Sequence, residues 1–251
     1  MAESEESPPP GVPDAMLRNA LVNGAVLSAS PDENLLVPRD LRVVELATLR
    51  VRSGRVIVGD VGMGFDLSQP ILRKIPPGDY KIYVTIWGPN GKGQGPSDGM
   101  GDTPRAAYLT LEIRKQVPAR FVFAAMGDPE SEADNPEWVG TDTMQAIGVD
   151  MGGVGIIDLA DRERFQPSDD VDEENVLDNY FDFEEAAQAA RPDCLGLAGV
   201  IRIPTKPPID VPACNSGWGD GGYFAYWALD AAGQPLALIV DFDLDQKWRY
   251  R

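Results

Sequence analysis

None of the 251 residues is a histidine, and that fixes which side chains are left to do chemistry. Serine–histidine and cysteine–histidine nucleophilic pairs are excluded, as are histidine-ligated zinc and imidazole general bases. Carboxylates, Lys, Tyr, Ser and Cys remain. Three groupings of these residues stand out. The first is the run from Ser216 to Gly222, whose glycines permit close backbone approach and whose bulky side chains are Trp218 and Asp220, with Tyr223 next along the chain. It reads as an aromatic platform beside a carboxylate, or as a structural plug with Asp220 bonding turn amides. The second is Asp241, Asp243 and Asp245. On one strand these share a face at a spacing of roughly 7 Å, so they would repel unless they were solvated, bound to a cation or faced by a basic partner. The third is Asp150 with Asp158. Two carboxylates in one cleft could act as acid and base in glycoside-type chemistry, whereas Asp158 just before Leu159 also reads as a helix-capping residue.

Two further motifs are rejected on spacing. Gly91-Lys92 lies in a Gly-rich stretch, but no Ser or Thr follows Lys92 and no helix is expected after it, so it reads as a hairpin loop rather than a phosphate loop. The acidic run Asp169–Glu174 fails as a calcium loop, because Asn175 and Phe181 stand where that motif needs Gly and Glu. No cofactor is called for.

The elements expected to position these groups are strands. Gly (26) and Pro (22) are abundant, which favours turns over long helices. Val- and Leu-rich Leu41–Val51 and Arg55–Asp60, separated by Ser53-Gly54, read as a hairpin. Tyr80–Trp87 alternates, with Tyr80, Ile82, Val84 and Ile86 on one face, and pairs with Ala106–Ile113. Ala119–Ala125 is a further strand. Gly222–Leu229 and Leu236–Leu244 form a hairpin about the turn Asp230–Gln234. Short helices are expected at 14–21 and 175–190. The expected fold is mainly β, an antiparallel β-sandwich or partly open barrel with a few short helices, with an α+β layer as the alternative. Residues 1–12 read as an acidic, Pro-rich, disordered lead-in and 13–251 as a single domain.

The run Ser216-Gly-Trp-Gly-Asp-Gly-Gly-Tyr-Phe-Ala-Tyr-Trp227, followed by Leu229-Asp230 and Leu236–Phe242, resembles the C-terminal signature of the bacterial domain-of-unknown-function 4241 family. Ser53-Gly-Arg-Val-Ile-Val-Gly-Asp60 with Ile75-Pro-Pro-Gly-Asp-Tyr80, and Gly148-Val-Asp150 with Gly155 and Asp158, are similar to it as well. The chain departs from the family pattern at Val154-Gly155-Ile156, where a Cys-Phe pair is expected, and in its Gly-rich loop. The resemblance covers about residues 41–245. It implies a β-rich domain and says nothing of an activity.

A formal net charge of −18 disfavours nucleic acid and anionic membrane surfaces as partners and favours encounter with a basic protein. The N-terminus lacks a basic and apolar leader, no apolar run is long enough to span a membrane, and Cys194 and Cys214 read as free thiols, so a cytoplasmic location is expected. Two functions fit these features. One is a non-enzymatic acidic protein-binding module, with an immunity- or antitoxin-like role towards a cationic effector as one concrete form. The alternative is a carboxylate-based hydrolase, with or without a divalent cation. A scaffold without a site is the third reading.

Overall fold

The computed structural model describes residues 17–23, 25–27, 39–65, 68–88, 104–128, 145–165 and 180–244. The acidic lead-in, the Gly-rich loop after Gly88 and the run at 169–174 lie outside them. Strand content dominates, as the alternation of apolar residues requires. Strands β1 (Val26–Leu27), β2 (Arg39–Val51), β4 (Gly78–Trp87), β5 (Arg105–Glu112), β12 (Pro235–Asp241), β11 (Gly221–Leu229) and β6 (Arg120–Phe123) form the larger sheet in that spatial order, and β7 (Ala146–Val149) pairs with the first half of β11. The smaller sheet runs β3 (Val56–Asp60), β8 (Gly153–Asp158), β10 (Ile209–Asn215), β9 (Ala198–Ile203). Every pairing is antiparallel. This is the expected sandwich rather than a closed barrel.

Three apolar layers hold it together. Between the sheets, Val84, Leu109, Trp227 and Leu238 of the larger sheet meet Val58, Ile156, Ala198 and Cys214 of the smaller. Outside the larger sheet lies a second layer, with Trp87, Tyr108, Tyr226 and Ile239 covered by Leu17 and Ala20. Outside the smaller sheet lies a third, with Ile57, Ile157, Ile201 and Val211 against Phe65, Phe165 and Ala187. Both faces of each sheet are therefore covered, which is why β3 and β8 are buried at every position instead of alternating.

Several expectations hold. Strand β4 puts Tyr80, Ile82, Val84 and Ile86 into the inter-sheet layer and pairs with β5. The β11–β12 hairpin closes about Asp230, whose Oδ1 accepts the N–H groups of Ala232 (2.9 Å) and Gln234 (2.8 Å). Helix α1 (Tyr180–Ala189) occupies the second expected helical stretch, and the described part of the first makes a turn closed by Ala20 N–H on the Leu17 carbonyl. One expectation fails: Leu41–Val51 and Arg55–Asp60 do not form a hairpin. β2 pairs with β4 and β3 with β8, so the Ser53-Gly54 turn carries the chain from one sheet to the other.

The Gly-rich stretch around Gly155 serves packing. A Cβ at Gly155 would sit 2.6 Å from Val61 Cγ2 and 2.8 Å from Val211 Cγ1, so the absent side chain admits two neighbours of the outer layer. Among the described residues no helix is long and apolar enough to cross a membrane.

Candidate functional site

The Ser216–Asp220 loop also crosses between sheets, leaving β10 of the smaller and entering β11 of the larger. A crossing needs a sharp change of direction, and Gly217 (φ +47°) and Gly219 (φ +95°) supply backbone conformations that other residues adopt only with strain. Buried Ser216 anchors the entrance. Its N–H donates to the Gly152 carbonyl at 2.8 Å, and its hydroxyl lies 2.6 Å from the Gly219 carbonyl and 3.1 Å from that of Gly152. The buried Tyr223 hydroxyl closes the loop from below, 2.8 Å from the Ser216 carbonyl and 2.7 Å from that of Gly219. Tyr223 is thus the loop's fastening, with its ring against Phe242, and offers no contact to a partner.

Trp218 is half-buried and fixed on two sides. Its Nε1 donates to the Asp243 carbonyl at 3.1 Å, and the Arg105 guanidinium stacks 4.4 Å from the ring centroid while Nη1 donates to the Gly217 carbonyl at 2.6 Å. Asp220, at the loop's far end, is exposed. Beside the loop lies a cleft of about 370 Å³, lined by Trp218, Arg105, Met151, Gly152 and Glu184 of α1. Gln188 ties α1 to the loop base. Its Nε2 donates to Asn215 Oδ1 (3.0 Å) and Glu184 Oε1 (3.2 Å). The cleft presents one aromatic ring, one cation and the Glu184 carboxylate, with Trp218 and Arg105 held by hydrogen bonds and stacking.

The expected Asp241 stripe is not there. Strand β12 ends at Asp241, which is 6% exposed, with Oδ1 accepting the Asp243 N–H at 2.8 Å. Asp243 then adopts φ +51°, which breaks the alternation: Phe242 packs in the inter-sheet layer and Leu244 in the layer outside the larger sheet. Asp241 closes a turn where an exposed face was expected. Asp245 lies outside the described residues. Burial pushes the Tyr226 hydroxyl far above its ordinary pKa, and the Asp241 and Asp243 carboxylates add to it.

Asp150 and Asp158 are not brought together. Asp158 sits at the end of β8 paired with Val56, and Asp150 lies beyond the other end, where Val154 pairs with Asp60. Asp150 N–H is held by Asp60, whose strand partner Val154 is four strand steps, about 13 Å, from Asp158, against about 5–9.5 Å for a glycosidase carboxylate pair. Asp158 is fully buried and caps the 3-10 turn Leu159–Arg164. It accepts the Arg52 N–H (2.8 Å), the Ser53 N–H (3.2 Å), Arg52 Nε (3.2 Å) and the Ser53 hydroxyl. Burial works to raise its pKa, but the Ser53 and Arg52 hydrogen bonds outweigh it and hold the carboxyl below its ordinary value. Asp150 is exposed; its backbone N–H is what the structure uses. That N–H and Met151 N–H both donate to Asp60 Oδ2 at 2.7 Å, and Met63 N–H donates to Oδ1 at 3.2 Å.

Asp60, Arg105 and Glu184 were missed at the sequence level. An acid closing the apolar run Val56-Ile-Val-Gly-Asp60 was a visible sign of a buried, bonded carboxylate. Nothing local marks Arg105 or Glu184. Cys194 and Cys214 are free and buried, and burial pushes both thiols above their ordinary pKa. Among the described residues no three His, Cys, Asp or Glu side chains cluster as metal ligands.

Fold and site together define a two-sheet antiparallel sandwich with a preformed polar cleft at a sheet-crossing loop. Residues 49–240 match the family described as "Protein of unknown function (DUF4241)", and the chain belongs to that family. Neither a curated protein nor a solved structure shows significant similarity to it.

Proposed function

We propose that the chain is a non-enzymatic binding module that captures a basic protein through the Ser216–Gly222 loop and the cleft beside it. The observation that carries this reading is the loop's rigidity. Ser216, Tyr223 and Arg105 hold Trp218 at the cleft with Asp220 exposed next to it, so ordering of the contact surface costs little on association. The net charge of −18 supplies steering towards a cationic partner. A cationic effector toxin is one such partner, and the chain would then act as its immunity protein in the cytoplasm.

The hydrolase reading has less support. Asp158 and Asp60 accept backbone N–H groups, Asp241 closes a turn, and Asp150 lies at the far end of β8 from Asp158. The test is affinity capture from the native host with the wild-type chain and with Asp220→Lys. One stoichiometric basic protein retained by the wild type and lost from the variant supports the proposal. Equal retention by both places recognition elsewhere.

A further inference from the structure

The outer face of the larger sheet carries a second concavity, at the opposite end of the same strands. β5 begins at Arg105 in the cleft and ends at Glu112 beside this groove, so the two lie about 23 Å apart along the strand. The groove measures about 370 Å³ and its floor is apolar, formed by Leu17 and Ala20 against Phe121, Leu236 and Ile239. Its rim inverts the charge of the molecule. Arg18, Arg114 and Lys115 line it with one acid, Glu112; Arg114 is paired with Asp230 at 3.1 Å, so Arg18 and Lys115 leave the rim net positive in a chain whose net charge is −18. Glu112 itself stands opposite Lys81 of β4.

Among the described residues three large apolar side chains are exposed, and two of them flank this groove: Val117 at 85% and Val22 at 48%. Both belong to the groove's lining, so an occupant that covers them removes exposed apolar surface from water. Arg18 fixes the two banks to each other, donating from Nη1 to the Pro118 carbonyl at 2.8 Å and lying 5.5 Å over the Phe121 ring. An apolar floor and exposed apolar flanks within a cationic rim form a surface complementary to an acidic segment with apolar anchors.

We propose that this groove is a second docking site, for an acidic, apolar segment of another protein. One face of the molecule then serves a basic partner and this one an acidic partner, which allows the two to be held at once. The inference does not rest on the loop's function, since its charge and position are independent of it.

The test is fluorescence anisotropy with a labelled peptide of alternating Glu and Leu pairs and its Lys-for-Glu counterpart, on the full chain at low and high salt. The acidic peptide is expected to bind, weakening as salt rises, and the Lys peptide not to bind at this face. Val117→Asp with Lys115→Glu changes two exposed side chains, so the thermal melt is expected to stay put while affinity falls about tenfold or more. Equal binding of both peptides, or no loss in the double variant, overturns the proposal. So does displacement of the peptide by a fatty acid at equal concentration, which would mark a small-amphiphile site, or a self-association lost with Val117→Asp, which would make the occupant a second copy. Peptide binding that emerges only after residues 1–12 are removed would assign the groove to the chain's own acidic N-terminus and overturn an intermolecular partner. Asp220→Lys, at the other end of the strands, is expected to leave peptide affinity unchanged.

Discussion

Replacing Asp158 by Ala separates a structural carboxylate from a catalytic one. The side chain is fully buried and joins the sheet-crossing turn at Ser53 to the end of β8. Its removal takes the acceptor from the Arg52 and Ser53 N–H groups, and each hydrogen bond to a charged group contributes about 1.5–3 kcal/mol. The Arg52 guanidinium contributes less, because that side chain is half exposed and water replaces the lost contact. The two hydrogen bonds together amount to about 3–5 kcal/mol. For a chain of this size that lowers Tm by about 6–20 °C. The pH dependence has a definite sign. The folded carboxyl titrates below its unfolded value near about 3.9, so its stabilisation is fully present above that value. It is lost as pH falls through the folded value, where the unfolded state binds the proton more readily. Asp158→Asn should therefore flatten the rise of stability with pH across the acid limb. Urea unfolding of wild type, Asp158→Ala and Asp158→Asn between acid and neutral pH reads both effects. A loss below about 1 kcal/mol for the alanine variant, or an unchanged acid limb in the asparagine variant, would refute the structural role.

Two further outcomes follow from packing. A Cβ at Gly199 would sit 2.4 Å from the Ala187 carbonyl oxygen, so Gly199→Ala should push α1 off β9 and cost about 1–3 kcal/mol by chemical denaturation; unchanged stability would show that α1 is not seated there. Cys194 and Cys214, buried with raised pKa values, should resist alkylation in the native chain, yet both should label in denaturant without reductant. Mass spectrometry showing fast native labelling, or none after unfolding, would contradict free, buried thiols.

The legible parts of the fold were those set by local period and turn chemistry. The β11–β12 hairpin could be read because alternation on both sides meets an Asp whose side chain builds its own turn. Strands β4 and β5 could be read for the same reason. What sequence could not show was which sheet a strand joins. The Ser53-Gly54 turn looks like a hairpin turn, and groups distant in sequence, the Asp158 carboxylate 105 residues away and the Ile75 N–H on the Gly54 carbonyl, hold it as a crossing between sheets. Asp243 was misread because Asp tolerates the left-handed conformation, so a two-residue alternation continued on paper past the point where the backbone turns away. The site was half legible. The glycines of the Ser216–Gly222 run marked a special backbone, but Arg105 and Glu184 reach the cleft from β5 and α1, and no spacing along the chain encodes that meeting.

Binding kinetics of the captured basic protein test the central claim most directly, measured on wild type, Asp220→Asn and Trp218→Ala at low and high salt, with Trp218→Phe as the variant that keeps most of the ring's packing. The account predicts fast, salt-sensitive association for the wild type and slower association for Asp220→Asn. For Trp218→Ala it predicts a dissociation rate raised by roughly thirtyfold, the equivalent of about 2 kcal/mol at a central aromatic contact. Trp218→Phe should fall between wild type and Trp218→Ala. Dissociation unchanged in Trp218→Ala together with salt-independent association, or no basic protein bound by the folded wild-type chain, would contradict it.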